Sequence, residues 1–278
     1  MEIPVSRHMF TQPENNGWVR TLARVGFAAK GLVYVLIGAL SLQTAIRGSG
    51  ETAGGREAVG VIGDQPFGQV LLFVVGIGLL GYALWREVLA IKDPGHVGRD
   101  AKGTAERVGW AISGVVSAGL ALTAFQLALG HDSGRGGGTA TWVGTLMEQP
   151  FGGVLVGLAG VAVIGVAVAQ IRKSMKCRFA RDLDTARMSP TERTWVFRMA
   201  RGGLISRGVV FGIIGSALIK AAIAHDPGQS KDLNDALATV AASPFGTVLL
   251  VLVAAGLCAY GVYMFFCTRY SKLSHPAA

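Results

Sequence analysis

Four stretches of this chain, Phe67 to Trp85, Val108 to Gly130, Phe151 to Ile171 and Phe245 to Cys267, hold no Asp, Glu, Lys, Arg or His. An α-helix rises ~1.5 Å per residue, so about 20 such residues cross the ~30 Å hydrocarbon layer of a bilayer. Each stretch therefore reads as a transmembrane helix. Two weaker runs accompany them, Gly31 to Ile46 with 16 uncharged residues and Gly208 to Ile219 with 12. These span only if Lys30, Arg207 and Lys220 sit near helix ends, where a long basic side chain buries its methylenes and reaches the headgroups. Composition agrees, since 51% of the 278 residues are hydrophobic and 15% charged, against about 25% charged in a soluble domain.

An internal repeat brings the weak runs into register with the strong ones. A two-helix unit occurs three times. Its first helix opens with Arg-x-Gly-x4-Gly at Arg24, Arg107 and Arg201, and its second with Pro66-Phe67-Gly68, Pro150-Phe151-Gly152 and Pro244-Phe245-Gly246. Arginine and proline are separated by 42, 43 and 43 residues. Counted from the arginine, positions +7 and +14 are Gly31 and Gly38, Gly114 and Ala121, Gly208 and Gly215. A seven-residue period drifts only ~20° per heptad, so each first helix carries a seam of small residues along one face. In lipid such seams let backbones approach, because little hydrophobic force drives helices together there. The excess among the 40 glycines goes to these seams and to Gly76, Gly78, Gly81, Gly160, Gly165 and Gly256, which answer them on the second helices. The expected fold is an all-α, polytopic membrane bundle of six helices in three tandem repeats with pseudo-threefold symmetry.

The basic residues set the expected orientation. With six spans both termini share one side, and the segments on that side hold 21 of the 26 Lys and Arg. Subtracting acids leaves +12 there and −3 opposite, which accounts for the net +9. The positive-inside rule then places both termini in the cytoplasm. The charge is topological, so no nucleic-acid partner is expected. Trp18, Trp85, Trp110 and Trp195 fall at the cytoplasmic ends and Trp142 at the outer side, as interfacial anchors would. The first 22 residues lack an apolar core, so the first span is expected to serve as its own insertion signal.

The expected organisation is a tail over 1–19, a first repeat over 20–92 with spans near 24–46 and 67–89, and a second over 103–176 with spans near 107–130 and 151–172. A basic linker over 177–194 leads to a third repeat over 195–270, spans near 203–224 and 245–268, and a tail over 271–278. Each Pro-Phe-Gly element is expected to start its helix, with proline in the first turn where its missing N–H is harmless. The short apolar pieces Ala58 to Ile62, Thr141 to Met147 and Leu233 to Val240 precede them and read as helical turns lying flat at the outer interface. Ser189-Pro190-Thr191-Glu192 fits a capping box, so a cytoplasmic helix is expected to begin there and run toward Arg201. This ten-cation segment between Arg172 and Arg207 should adhere to anionic lipid.

The Arg-x-Gly-x4-Gly opening with Tyr34, Gln65-Pro66-Phe67-Gly68 and Gly81-Tyr82-Ala83-Leu84-Trp85, repeated in degraded form, resembles a bacterial family of six-helix membrane proteins. That family is built from three tandem two-helix domains of unknown function. The resemblance covers about residues 20 to 270 and implies a bacterial inner-membrane protein. It carries no activity, substrate or catalytic residue. Ala169 and Tyr263 stand where the first repeat has Trp85, a sign that the repeats have diverged.

Chemistry is sparse. There is no HExxH, Gly-x-Ser-x-Gly or phosphate loop, and Cys177, Cys258 and Cys267 form no CxxC. His8, His96, His131, His225 and His275 lie in loops or at ends, which disfavours haem. The pairs His131-Asp132 and His225-Asp226 share position +24 but read as polar span ends rather than a metal site. Asp182, Asp184 and Cys177 match no catalytic motif. No enzyme activity, metal or cofactor is expected. Three polar layers recur: Arg24, Arg107 and Arg201; Lys30, Ser113 and Arg207 at +6; and Gln43, Gln126 and Lys220 at +19. The first-layer arginines lie one heptad before the seam. They would converge about a threefold axis into an anionic headgroup site, with Lys30 and Arg207 ~9 Å deeper, or else snorkel to the interface. The expectation is a non-enzymatic scaffold or accessory subunit that binds anionic phospholipid and a membrane complex. The competing reading is a channel or transporter for a small solute or ion along the axis.

Overall fold

The computed structural model describes residues 17–47, 55–63, 67–92, 101–130, 139–177, 179–180 and 183–271. Six of its helices are long and apolar enough to cross a membrane. They are α1 (Gly17–Arg47), α3 (Gly68–Lys92), α4 (Ala101–Ala128), α6 (Gly152–Met175), α7 (Pro190–Ala224) and α9 (Gly246–Tyr270). Three short helices, α2 (Gly55–Gly63), α5 (Thr139–Met147) and α8 (Leu233–Ala241), precede the Pro-Phe-Gly elements where the apolar pieces predict them. Among the described residues the only β pairing is an isolated bridge between Leu183 and Ser271.

The spans form a ring in the order α1, α3, α4, α6, α7, α9. Each repeat's first helix packs antiparallel on the second helix of another: α4 on α3, α7 on α6, and α1 of the first repeat on α9 of the last. The glycine seams make these contacts. A Cβ added to Gly31 would lie 2.9 Å from the Gly261 carbonyl, and one on Gly38 2.6 Å from that of Ala254. On Gly208 it would lie 3.1 Å from the Ala167 carbonyl, and on Gly215 2.9 Å from that of Gly160. Gly114 faces Ala83 and Glu87, and Ala121 is buried. Within repeats, α1 packs on α3 and α7 on α9, whereas α4 and α6 make no comparable contact. The expected threefold arrangement is thus present, with one seam open.

Toward the Pro-Phe-Gly end the interior is apolar. Val33, Ile37, Ala121, Ala124, Val210 and Leu257 join Val59 and Ile62 of α2 and Leu237 of α8 in one cluster. At the opposite, basic end the interior is aromatic, built on Phe27, Tyr82, Trp85, Trp110, Tyr260 and Tyr263. Trp85 and Trp110 are therefore core residues and not the interfacial anchors their positions suggest, whereas Trp195 is exposed. Trp85 packs edge-on to Phe27, 5.2 Å between centroids, which joins α3 to α1. The linker folds back on this end, placing Phe179 between Phe197 and Tyr263 at 5.2 and 6.1 Å.

The linker does not end before the third repeat. α7 is a single 35-residue helix, ~52 Å at 1.5 Å per residue and so longer than a bilayer core. Its first turns project past the basic end. Ser189 accepts a hydrogen bond from the Glu192 N–H, and the Ser189 N–H donates to Glu192 Oε2 at 2.8 Å. The Glu192 carboxylate also accepts from the Tyr270 hydroxyl at 2.9 Å, tying the helix start to the end of α9. Replacing Ser189 by alanine is expected to cost about 1 kcal/mol. It should appear as faster amide exchange confined to the first turn of α7, since the apolar spans do not depend on this cap.

The Pro-Phe-Gly corners are built differently from the expectation. Helices α6 and α9 begin after a phenylalanine N-cap in the left-handed region, Phe151 at φ 63° and Phe245 at φ 60°, and Phe67 has φ 62°. The Gly152 N–H donates to the Gln149 carbonyl at 2.8 Å. Pro150 and Phe151 are therefore the central residues of a turn with positive φ at its third position, the type II pattern. Proline lies before the helix, not in its first turn; Pro244 occupies the matching turn position and Pro66 lies outside the described residues. The glycine is required by close approach, since a Cβ on Gly152 would lie 2.6 Å from Met147 Cα and one on Gly246 2.6 Å from the Ala241 carbonyl carbon. The three phenylalanine rings are 82 to 84% exposed at this end.

Candidate functional site

The three polar layers separate in the structure. Arg24 and Arg201 are exposed, and Arg107 caps α3, donating from Nε to the Ala90 carbonyl at 2.7 Å and from Nη2 to the Ile91 carbonyl at 3.2 Å. A cation on the last carbonyls of a helix is favoured by the helix dipole. Arg201 lines a shallow groove with Arg193, Thr194, Phe197 and Arg198. The first layer therefore does not assemble into one site. Gln43, Gln126 and Lys220 of the third layer all face outward.

The +6 layer is the one that turns inward. Lys30 is only 8% exposed, and its Nζ donates to Ser113 Oγ on α4 at 3.3 Å. The ammonium also sits 4.1 Å from the centroid of the Tyr82 ring on α3. Arg207 is ringed by aromatics, 4.4 Å from Tyr260, 5.0 Å from Phe211 and 5.2 Å from Tyr34, and Nη1 donates to the Tyr260 hydroxyl. Tyr34 and Tyr260 meet edge to face at 4.8 Å, which carries the cluster from α1 to α9. Arg86 joins through Tyr82, donating from Nε to its hydroxyl at 2.8 Å. Ser117, a turn above Ser113, is buried and donates to the Ser113 carbonyl. The snorkelling expected of Lys30 and Arg207 is thus replaced by burial of Lys30 and partial burial of Arg207 among five helices.

That arrangement is electrostatically unusual. Moving an ion out of water costs several kcal/mol after relaxation, and a desolvated cation over an aromatic face recovers ~2 kcal/mol or more. Neither Lys30 nor Arg207 has a carboxylate at ion-pair distance among the described residues. The Arg207 Nε is buried without a hydrogen-bond partner. Glu87, next to Arg86 in sequence, turns its buried Oε1 against Gly114 on the α4 seam, where that atom also has no partner. The chemistry left open at the cluster is that of an oxyanion acceptor.

Tyr82, Tyr260 and Arg86 escape a residue-by-residue reading, although Tyr82 and Tyr260 both stand sixteen residues after the motif proline. Val166 occupies that place in the second repeat and breaks the pattern. Of the His-Asp pairs, His225 ends α7 in the left-handed region and is exposed, and Asp226 accepts from the Gly228 N–H at 2.9 Å. His131 and Asp132 lie outside the described residues. No group of metal-ligating side chains occurs among the described residues.

Six apolar spans in three copies of one hairpin, closed by glycine seams, define a polytopic membrane protein of tandem-repeat type. The chain belongs to the family described as Domain of Unknown Function (DUF1206), whose model matches it three times, over residues 25–93, 108–176 and 202–271. It is similar to "Uncharacterized protein YxxB" of Bacillus subtilis (strain 168), 34% identical over 250 residues that cover 90% of each chain. No solved structure matches.

Proposed function

We propose that this is a non-enzymatic protein of the bacterial inner membrane, termini in the cytoplasm, that holds anionic phospholipid in the basic half of its bundle. It would serve as a scaffold or accessory subunit of a membrane complex. One observation carries the reading: Lys30 and Arg207 are gathered behind Tyr34, Tyr82 and Tyr260 without a carboxylate at ion-pair distance. A phosphate diester supplies the missing charge and accepts from the free Arg207 Nε. The surplus of basic residues on the same side supports both the orientation and an attraction to anionic headgroups.

The test is lipid retention in native mass spectrometry after purification from bilayers of phosphatidylglycerol and phosphatidylcholine. A hydrogen bond to a charged group contributes ~1.5–3 kcal/mol, so Lys30→Gln with Arg207→Gln should lower phosphatidylglycerol retention by tenfold or more. Arg24→Gln with Arg201→Gln, at exposed positions, should leave it near the unaltered level. Equal retention by the Lys30 and Arg207 variant would refute the site. Passage of a small ion or uncharged solute through proteoliposomes would replace the scaffold with the permeation reading.

A further inference from the structure

The ring fails to close at one place, and comparison of equivalent positions shows why. Between α1 and α3, Gly78 meets Ala29 and Val25, and between α7 and α9, Gly256 meets Ser206 and Gly202. The second repeat has Ala162 where the others have these glycines, and Ile112 where they have Ala29 and Ser206. Gly26 packs on Tyr82 and Gly203 on Tyr260, whereas their counterpart Gly109 has nothing within 4 Å of an added Cβ. Trp85 and Tyr263 are buried, and Ala169 in their place is exposed. Val116 is 66% exposed, against 2% for Val33 and 1% for Val210.

Substitution has therefore left α4 and α6 without the contact that the other two hairpins make. The unpacked stretch of α4 runs from Gly109 at +2 to Val116 at +9, ~10 Å along the helix, and so spans the depth of the +6 layer. Ser113, which accepts from Lys30, lies three residues before Val116 and so about 60° from it around α4. On α6, Gln170 follows Ala169, is buried, and keeps an Oε1 without a partner.

We infer that the crevice between α4 and α6 is a lateral opening to the bilayer that takes an anionic diacyl phospholipid, one acyl chain along Ile112, Val116 and Val166 and the phosphate drawn in toward Lys30 and Arg207. This rests on the anionic-lipid reading above and adds its route and partner. Charge decides the occupant: a transmembrane helix would cover the apolar walls but bring no anion to buried Lys30 and half-buried Arg207, whereas a phospholipid does both.

The test uses the full chain in bilayers of phosphatidylglycerol and phosphatidylcholine. Gly109→Trp, where an added Cβ meets nothing, and Val116→Trp, at an exposed site, should each fill the crevice and leave thermal unfolding unchanged. Excluding about two buried methylenes corresponds to about a tenfold loss of retained phosphatidylglycerol. A photo-crosslinking residue at position 116 should capture phospholipid. If both tryptophan variants retain lipid while Lys30→Gln with Arg207→Gln releases it, the crevice is not the route and the anionic-lipid reading stands. If the unaltered protein retains no phosphatidylglycerol, both fall. Capture of a protein at position 116 overturns the lipid occupant.

Discussion

Leucine in place of Gly38 is expected to eliminate the folded protein. A Cβ at this position lies 2.6 Å from the Ala254 carbonyl and 2.7 Å from the Cys258 nitrogen, both backbone atoms of α9 that no rotamer change can move. Overpacking against side chains costs ~1–3 kcal/mol; against backbone the two helices must separate, and costs above ~4 kcal/mol are the mark of such sites. A total stability of ~5–15 kcal/mol leaves little after that. In a membrane the loss is not recovered by hydrophobic collapse, because lipid tails solvate the parted faces as well as the partner helix does. The measurement is size-exclusion chromatography in mild detergent after expression. Gly119→Leu is the matched control, since nothing lies within 4 Å of its added Cβ. It should give a monodisperse peak, and a leucine helps a helix by propensity.

Alanine at all three corner glycines, Gly68, Gly152 and Gly246, is the second large effect expected. The added methyl meets Ile62 and Gly63, Leu146 and Met147, or Val240 and Ala241, always the backbone of the last turn of the preceding short helix. The turn cannot open without moving α2, α5 or α8. Those helices cap the bundle, with Val59, Ile62, Leu237 and Val240 in its core and Val143 against α6 and α7. The contact is with backbone, but only a nine-residue helix and not a membrane span has to shift, so each substitution is expected to cost less than at Gly38, about 1–3 kcal/mol, and sites this far apart add. The single variants should therefore each lower the unfolding temperature, the double variants should lose the sum of their singles, and the triple variant should not accumulate. Additivity is the discriminating result, because it follows from three independent corners of identical build.

Much of the architecture is readable in the chain because membranes constrain period and length together. Uncharged runs fix the spans, and the constant arginine-to-proline interval aligns Gly31 with Gly114 and Gly208. The seams are legible for the same reason, but their partners are not. A seven-residue period says that one face is small without saying which neighbour it meets, and here it meets the second helix of another repeat. Burial is the harder quantity. Hydropathy treats lipid and protein interior alike, so Trp85 and Trp110 look interfacial and are core, and Lys30 and Arg207 look like snorkelling cations and are enclosed. The cage is partly encoded at Tyr82 and Tyr260, and Val166 hides it by breaking the threefold pattern. The same divergence, with Ile112, Ala162 and Ala169, opens the second hairpin. Its effect appears only when the three repeats are laid over a common ring.

The closure of that ring between its first and last spans is the point on which the rest depends. A Cβ built on Gly31 lies 3.3 Å from the Cβ of Met264, near the ~3.5–4.5 Å of a disulfide. With the native cysteines replaced by serine, Gly31→Cys with Met264→Cys should cross-link under mild oxidation in intact membranes. After proteolysis in the 177–189 linker, α1 and α9 should then remain joined until reduced. Fragments that separate without reductant, from protein that still purifies as a single species, would contradict the account.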